Sequence, residues 1–305
     1  MKRSLVSDVR INKFSYFMLL PAFFYTLLFG YLTYPYVIIA FQQYNYAKGI
    51  FGSPFVGFEN FMFFLRSNNA GSVILNTILL NLISIIFGTI LSVSIAIILN
   101  EIRNLKFIKI SQSAMLFPYY ISWVVISYLL LTFLSTKNGI VNNFLADLGL
   151  EKINFYTSPQ YWRPILVMLR MWKGAGMNAV IFLAAINGID SEIYEAAVID
   201  GASRLQGVKY LTVPLLLPTI SILTLLSLGR IMYGDFSMIY AIVGDIGVLY
   251  RTTDIIDTYV FRILRQSGNP SQSMAIGLFQ SVLGFILVYI TNRVVKTFFD
   301  DGALF

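Results

Sequence analysis

The sequence contains no cysteine and no histidine, and charged residues make up only 12% of it. Without cysteine there is no disulfide or thiol chemistry, and without histidine the usual ligand sets for zinc, copper and haem are nearly excluded. No Walker-type GxxxxGK(S/T) sequence is present, so this chain cannot hydrolyse ATP by the P-loop route. We therefore expect no metal and no cofactor on this chain, and any ATP that it uses must be bound by a partner.

What the sequence has instead is apolar residues, which form 57% of the 305 positions and give a mean hydropathy of +0.72. Crossing a bilayer takes about 20 apolar helical residues. Six runs meet this length, at 15–40, 73–99, 110–134, 164–187, 213–234 and 274–298. The sequence therefore predicts an all-α integral membrane protein with six transmembrane helices, in contact with membrane lipid.

The net charge of +7 does not indicate nucleic-acid binding, because the basic residues are scattered at the span ends rather than gathered on one stripe. The first apolar segment is too long for a signal peptide and lacks a cleavage site, so we expect it to be retained. By the positive-inside rule, both termini are predicted to be cytoplasmic. The basic residues that support this orientation are Lys2, Arg3, Arg10, Lys13, Arg103, Lys106, Lys109, Arg293 and Lys296.

The connection between the fourth and fifth runs is a short polar island. Asp190 or Ser191 can cap a helix there, and Gly201 offers the left-handed position that ends it. Ser203 and Gln206 have the spacing of a capping box, which predicts a second short helix directly afterwards. The expected product is a helix, a glycine bend and another helix, next to the start of a membrane span.

One stretch of this island offers a surface to another protein. Ala196 and Ala197 make one face nearly flat, and Glu195 and Asp200 present charge to a basic residue of a partner. The order Glu-Ala-Ala, three residues, Gly, nine residues, aliphatic-x-aliphatic-Pro resembles the EAA loop of permease subunits of ATP-binding-cassette importers. The resemblance implies ATPase coupling by Glu195, Ala196, Ala197, Asp200, Gly201 and Ala202. The alternative is an amphipathic interfacial loop with no docking role.

The third run contains Pro118, which removes a backbone hydrogen bond and bends the helix. Such a bend is tolerated where protein or a wet cavity satisfies the freed carbonyl. Tyr119, Tyr120 and Trp123 follow, and aromatic faces of this kind stack on sugar rings. We assign these three residues to a substrate pathway, with aromatic helix packing as the alternative.

The fourth run carries two cations inside the membrane. Arg170 lies roughly 9 Å and Lys173 roughly 13 Å from the outer end of the run, at about 1.5 Å per residue. A lipid-facing charge at that depth costs at least about 2.5–3.5 kcal/mol, so an interior position is expected. We assign Trp172, Lys173 and Asn178 to the pathway, and expect Gly174 and Gly176 to loosen the helix. Arg170 can instead snorkel to the surface.

Two external segments narrow the resemblance. Residues 39–61 form an aromatic turn, and residues 235–273 form a loop too long to be only a connector. Apolar residues at helical spacing in 254–262 predict a short helix lying at the outer interface. Together with 117–125 and 274–293, these stretches are similar to the oligosaccharide branch of carbohydrate importer permeases of the maltose type. Within the Glu-Ala-Ala loop, Leu205 and Val208 depart from the family's usual residues, so the resemblance does not extend to the fine fit to the ATPase.

The resemblance implies a type I importer permease fold with a cytoplasmic coupling helix in residues 188–212. We divide the chain into three parts. Residues 1–72 contain the cytoplasmic N-terminus, the first transmembrane helix and the external aromatic loop. Residues 73–298 form the transmembrane domain, and residues 299–305 form a cytoplasmic tail. The implied partners are a second homologous permease, two ATPase subunits that bind ATP and magnesium, and an extracellular or periplasmic solute-binding protein. The implied location is the bacterial inner (cytoplasmic) membrane.

The implied function is ATP-driven uptake of oligosaccharides by alternating access. A permease for glycerol phosphate or another anionic solute is the first alternative, since the positive charge of Lys173 favours a negatively charged substrate. An ATP-independent channel would not need the Glu-Ala-Ala loop. An intramembrane enzyme would need paired acids, or a nucleophile with a base, inside the spans. The six runs contain no histidine, cysteine or buried acid for that purpose, so we expect a translocation subunit and not an enzyme.

Overall fold

The computed structural model describes residues 11–298, which are helical apart from connecting turns and an isolated antiparallel bridge between Gln42 and Phe55. The N-terminal basic residues before position 11 and the predicted tail 299–305 lie outside the described residues. The α-helices are α1 (Lys13–Tyr25), α2 (Gly49–Gly52), α3 (Glu59–Leu65), α4 (Ala70–Glu101), α5 (Leu105–Tyr120), α6 (Trp123–Leu134), α7 (Ile140–Asp147), α8 (Trp162–Asn187), α9 (Ser191–Ile199), α10 (Arg204–Gly207), α11 (Val213–Leu228), α12 (Phe236–Ile242), α13 (Tyr250–Thr253), α14 (Ile256–Arg262) and α15 (Pro270–Phe298). Short π and 3-10 segments extend or connect them at Thr26–Tyr31, Tyr34–Phe41, Phe155–Thr157, Pro159–Tyr161, Val208–Thr212, Gly247–Leu249 and Ile263–Ser267.

The helices confirm the predicted membrane architecture. Within the described residues, five helical segments are long and apolar enough to cross a bilayer: Lys13–Phe41, Ala70–Glu101, Pro159–Asn187, Arg204–Leu228 and Pro270–Arg293. Helices α5 and α6 together pass the same test, although they are bent by 94°. Counting this bent pair as one span gives the six that the sequence predicts.

The third and fifth spans differ from the expected continuous helices. Pro118 precedes a complete break, because Ile121 and Ser122 are extended and the Ser122 side chain caps the new helix at the Val125 amide, 3.3 Å away. The fifth span begins at Arg204 through a π-helical turn and ends at Leu228, six residues before the predicted end. From Gly229 the chain turns away from the helix axis, so residues 229–234 are not part of the span.

The core is built around α4 and α8, which pack against each other more extensively than any other two helices do. Trp162, at the first turn of α8, is completely buried, and its indole N–H donates to the Phe155 carbonyl at 2.7 Å. A separate apolar cluster joins α4, α8 and α11 near Phe182 and Leu216. The remaining apolar side chains mostly face outward, as a chain surrounded by lipid requires.

Part of the segment between α11 and α15 is buried in the molecule. The short helix predicted in 254–262 exists as α14, and its position at the outer membrane interface stays a prediction. Ile255 and Ile256 are buried, and Asp254 is buried with an ion pair to Arg262. Thr258 and Tyr259 of the same helix are buried as well, so this helix packs against the rest of the protein.

Candidate functional site

The connection between the fourth and fifth spans folds as its sequence predicts. Asp190 is the cap of α9, and its carboxylate accepts from the Glu192 amide at 3.0 Å. Gly201 has a φ of +84°, which is the left-handed conformation that ends the helix. Ser203 and Gln206 form the predicted capping box, with hydrogen bonds of 2.7 and 3.4 Å, at the start of α10.

This connection exposes apolar side chains beside its acidic ones. Val198, Ile199 and Leu205 are 72%, 86% and 82% exposed, and Glu195 and Asp200 are exposed as well. Large apolar residues clustered on a surface mark contact with another molecule. A shallow cavity of about 330 Å³ lies in the same loop, lined by Ala197, Asp200, Gly201, Ala202, Gln206, Gly207, Tyr210 and Leu211.

Helix α9 is fixed to the fifth span by a side-chain contact. The Tyr194 hydroxyl lies 3.0 Å from the hydroxyl of Thr212, which is buried at the base of α11. A force applied to α9 therefore reaches the span through this hydrogen bond as well as through the chain. The loop is both exposed and joined to the fifth span.

Lys173 occupies the break in the third span. Its ammonium donates to the carbonyls of Pro118 at 3.1 Å and Tyr119 at 2.7 Å, and also to that of Ile121. These carbonyls lie at and just after the C-terminal end of α5, where a cation is favoured by the helix dipole, and that of Pro118 also accepts from the Ile121 amide at 3.2 Å. The ammonium also lies 5.7 Å from the Tyr119 ring centre and 5.3 Å from that of Trp123. Lys173 thus satisfies the backbone groups that the bend releases.

The two glycines of the fourth span have different surroundings. A β-carbon built on Gly176 would lie 2.0 Å from the Met115 carbonyl oxygen, so α8 and α5 touch there through their backbones. A β-carbon on Gly174 would meet nothing within 4 Å. Gly176 therefore allows a close helix crossing, whereas Gly174 lies in the wall of a cavity.

That cavity has a volume of about 590 Å³ and lies between α4, α8 and the end of the fifth span. Of the predicted pathway residues, Asn178 lines it; the structure places Tyr119, Tyr120, Trp123, Trp172 and Lys173 outside its walls. Tyr119, Trp123 and Lys173 instead meet at the break in the third span. The remaining polar residues of the cavity wall are Asn81, Ser84, Thr89, Arg170, Ser227, Arg230, Tyr233, Asp235 and Ser237.

Sequence reasoning missed most of this wall because its residues come from three separate spans. Arg170 donates to the Asn81 side-chain oxygen, so it is bound inside the protein and does not snorkel. The Asn81 amide in turn donates to the carbonyls of Ile231 at 2.7 Å and Tyr233 at 3.1 Å. Polar residues within otherwise apolar runs were the available signal, but their spacing alone does not show that they face one another.

Asp257 lies behind the cavity and holds Gly234, which is part of the cavity wall. The Asp257 carboxylate accepts from the Gly234 amide at 2.8 Å and from the Gln280 amide at 3.3 Å. Burial raises the pKa of Asp257, although both hydrogen bonds oppose that shift. Among the described residues, no group of three or more histidine, cysteine or acidic side chains can hold a metal ion.

The known proteins that this chain resembles are components of transport systems. The chain is 33% identical over 301 residues to the polygalacturonan/rhamnogalacturonan transport system permease protein YteP of Bacillus subtilis, covering 99% of this chain and 93% of that protein. The permease of a bacterial alginate ABC transporter, solved with an alginate pentasaccharide-bound periplasmic protein, superposes with a TM-score of 0.87 at 32% identity, covering 97% and 98% of the two chains. A glycerol-3-phosphate permease, UgpA of Escherichia coli, is 27% identical over 255 residues, covering 83% of each chain.

A family model provides the classification. The model described as binding-protein-dependent transport system inner membrane component matches residues 88–299, which include most of the cavity wall, the break in the third span and the exposed loop. The full-length relatives and the helical architecture agree with this match. The chain belongs to the family of inner membrane permease components of binding-protein-dependent transport systems.

Proposed function

We propose that the chain is one permease subunit of an ATP-driven importer that takes up oligosaccharides, derived from complex polysaccharides or glycans, by alternating access. The observation that carries this proposal is the full-length likeness to the alginate transporter, whose binding protein holds a pentasaccharide. The similarity to the polygalacturonan permease supports the same substrate class. The chain lies in the bacterial cytoplasmic membrane with both termini in the cytoplasm.

Energy reaches the permease through the loop between the fourth and fifth spans. Glu195, Ala196, Ala197, Asp200, Gly201 and Ala202 form the surface that docks on an ATPase subunit, where ATP and magnesium are bound. The exposed apolar side chains of Val198, Ile199 and Leu205 supply contact area, and the glycine bend fixes the angle between α9 and α10. Closure of two ATPase subunits then pulls on α9 and, through Tyr194, on the fifth span.

Substrate passes along the polar cavity between α4, α8 and the fifth span. Asn178 faces this cavity and offers a donor and an acceptor to sugar hydroxyls. Tyr120 is 76% exposed and Trp172 is 47% exposed, so their rings are open to a sugar or to the second permease subunit. Tyr119, Trp123 and Lys173 shape the bend beside the path and help to hold it in one conformation.

Uptake of a small anionic solute is the second candidate, because Arg170 and Arg230 lie in the cavity wall and a glycerol-3-phosphate permease is among the relatives. Uptake competition separates the two candidates. Neutral and acidic oligosaccharides should displace a labelled oligosaccharide, whereas glycerol phosphate should not. Displacement by glycerol phosphate alone would favour the second candidate.

The first experiment is purification of the tagged chain from its native membrane in mild detergent, with the co-purifying proteins identified by mass spectrometry. We expect a second six-span permease and a P-loop ATPase in comparable amounts, together with a solute-binding protein. Recovery of the chain alone, or only with copies of itself, would remove the support for ATP-driven import. A channel would then become the leading explanation.

A further inference from the structure

Arg230 lies where two cavities meet. The large cavity of about 590 Å³ and a second one of about 220 Å³ share Thr89, Asn178, Ser227 and Arg230. The second cavity continues along the fifth span past Leu226 to Phe182 and Leu223, which belong to or contact the apolar cluster that joins α4, α8 and α11. A solute that moves between the two cavities must therefore pass the Arg230 side chain.

The guanidinium of Arg230 has no hydrogen-bond or ion-pair partner in the part of the chain that the structure describes. Arg170, in the same wall, is already bound to Asn81. Asp235 is the acid of the wall, but it forms no contact ion pair with either arginine, and its carboxylate accepts from the Met238 amide at 2.9 Å as the cap of α12. Within residues 11–298, the two ion pairs join Arg262 to Asp254 and Arg265 to Asp245, outside the cavity.

We propose that Arg230 is a carboxylate-binding site for acidic sugar residues in transit. An arginine fork binds a carboxylate through two parallel hydrogen bonds, and a guanidinium without a protein partner in a cavity wall favours an anionic ligand. Asn178 and Thr89 lie in the same shared wall and can bind the hydroxyl groups of the same ring. This inference rests on the proposed function and narrows its substrate class to oligosaccharides that contain uronic acid.

The first test measures the charge preference of the cavity without any sugar. Because the chain has no cysteine, Asn178→Cys introduces a unique thiol into this chain of the assembled transporter. Its labelling by anionic sulfonatoethyl and cationic trimethylammonioethyl methanethiosulfonate is followed by mass spectrometry of the peptide that contains residue 178. Adding Arg230→Gln should lower the ratio of the anionic to the cationic labelling rate by about tenfold. The lost positive charge attracts the anionic reagent and repels the cationic one, so its removal changes the two rates in opposite directions.

The matched control is Arg251→Gln, which removes an exposed arginine outside the cavity and should leave the ratio unchanged. An unchanged ratio in the Arg230→Gln variant would overturn the proposal. Absence of labelling by either reagent would do the same, because a site for ions in transit must be open to them.

The second test measures uptake of trigalacturonate and of its methyl ester by the complete reconstituted transporter. Arg230→Gln should reduce uptake of the acid at least tenfold and leave the neutral ester within about twofold, and Arg230→Lys should recover part of the acid uptake. Equal loss of both sugars, or wild-type preference for the ester, would overturn the carboxylate site but leave the importer function standing. Uptake of neither sugar by the wild type would count against the proposed function, while the labelling ratio would still decide the charge preference of the cavity.

Discussion

Replacement of Lys173 by methionine separates a structural role from direct contact with substrate. Methionine has a similar length but no donor, so Lys173→Met removes the charged donor from three carbonyls at the break of the third span, of which that of Pro118 keeps the Ile121 amide. The same change removes the cation from the C-terminal end of α5. We expect α5 and α6 to lose their fixed 94° relation before any other part of the fold changes.

The size of the effect follows from these contacts. A hydrogen bond from a charged donor contributes about 1.5–3 kcal/mol, and three of them together set an upper limit of about 9 kcal/mol. Relief from holding a charge in the membrane offsets much of this, as does hydration of the Tyr119 carbonyl, which lies at an exposed site. We expect a net loss of about 3 kcal/mol, which corresponds to an apparent melting temperature lower by about 6–12 °C.

The assay is thermal unfolding of the purified transporter in detergent, paired with uptake in vesicles. Lys173→Arg keeps the charge and should recover most of the melting temperature. Lys152→Met is the matched control, because the Lys152 ammonium also donates to a carbonyl, that of Lys137 at 3.2 Å, but at an exposed site. If Lys173→Met melts with the wild type and yet loses uptake, the capping role is wrong and Lys173 acts on the substrate.

Three further substitutions test other parts of the structure. Gly176→Ala should destabilise the protein by about 1–3 kcal/mol or more, because a backbone carbonyl 2.0 Å from the new carbon must move, whereas Gly174→Ala should be neutral or stabilising in the same unfolding assay. Glu195→Lys should abolish substrate-stimulated ATP hydrolysis while leaving membrane insertion intact, and retained stimulation would contradict the docking role. Asp254→Ala should lower the free energy of unfolding by about 3 kcal/mol, because it leaves the half-buried Arg262 without its carboxylate partner. Replacing Arg262 as well should recover part of this stability, whereas strictly additive losses would mean that the two side chains do not interact.

Local structure was the part of this protein most accessible from the sequence. The cap at Asp190, the left-handed glycine at 201 and the capping box at Ser203 follow from rules that involve neighbouring residues alone, and all three were confirmed. The six apolar runs were equally readable, because bilayer thickness sets their length.

The site was less accessible because it depends on contacts between distant residues. Lys173 and Pro118 are 55 positions apart, and nothing in either segment shows that one satisfies the other. Trp172 and Lys173 were assigned to the pathway together, but neighbouring residues on a helix point in different directions, and neither lines the cavity. Gly176 illustrates the same limit, since only the position of α5 distinguishes a close crossing from a loosened helix.

Two asparagines of α4 explain how an irregular segment is held within a membrane protein. Asn76 donates to the carbonyls of Arg251 and Asp254, and Asn81 donates to those of Ile231 and Tyr233. Each asparagine oxygen also accepts from an arginine of α8: Arg163 for Asn76, and Arg170 for Asn81.

Non-helical carbonyls cannot face lipid, so the chain between α11 and α15 depends on these donors for its position. The paired contacts also join α4, α8 and that segment into a single packed unit, with the polar cavity along its side. The exposed α9 is fixed instead to the base of the fifth span, where Tyr194 meets Thr212. A rearrangement that starts at α9 therefore meets the fifth span first. The shared wall at Arg230 lies just beyond the end of that span, so such a movement would change the shape of the cavity there.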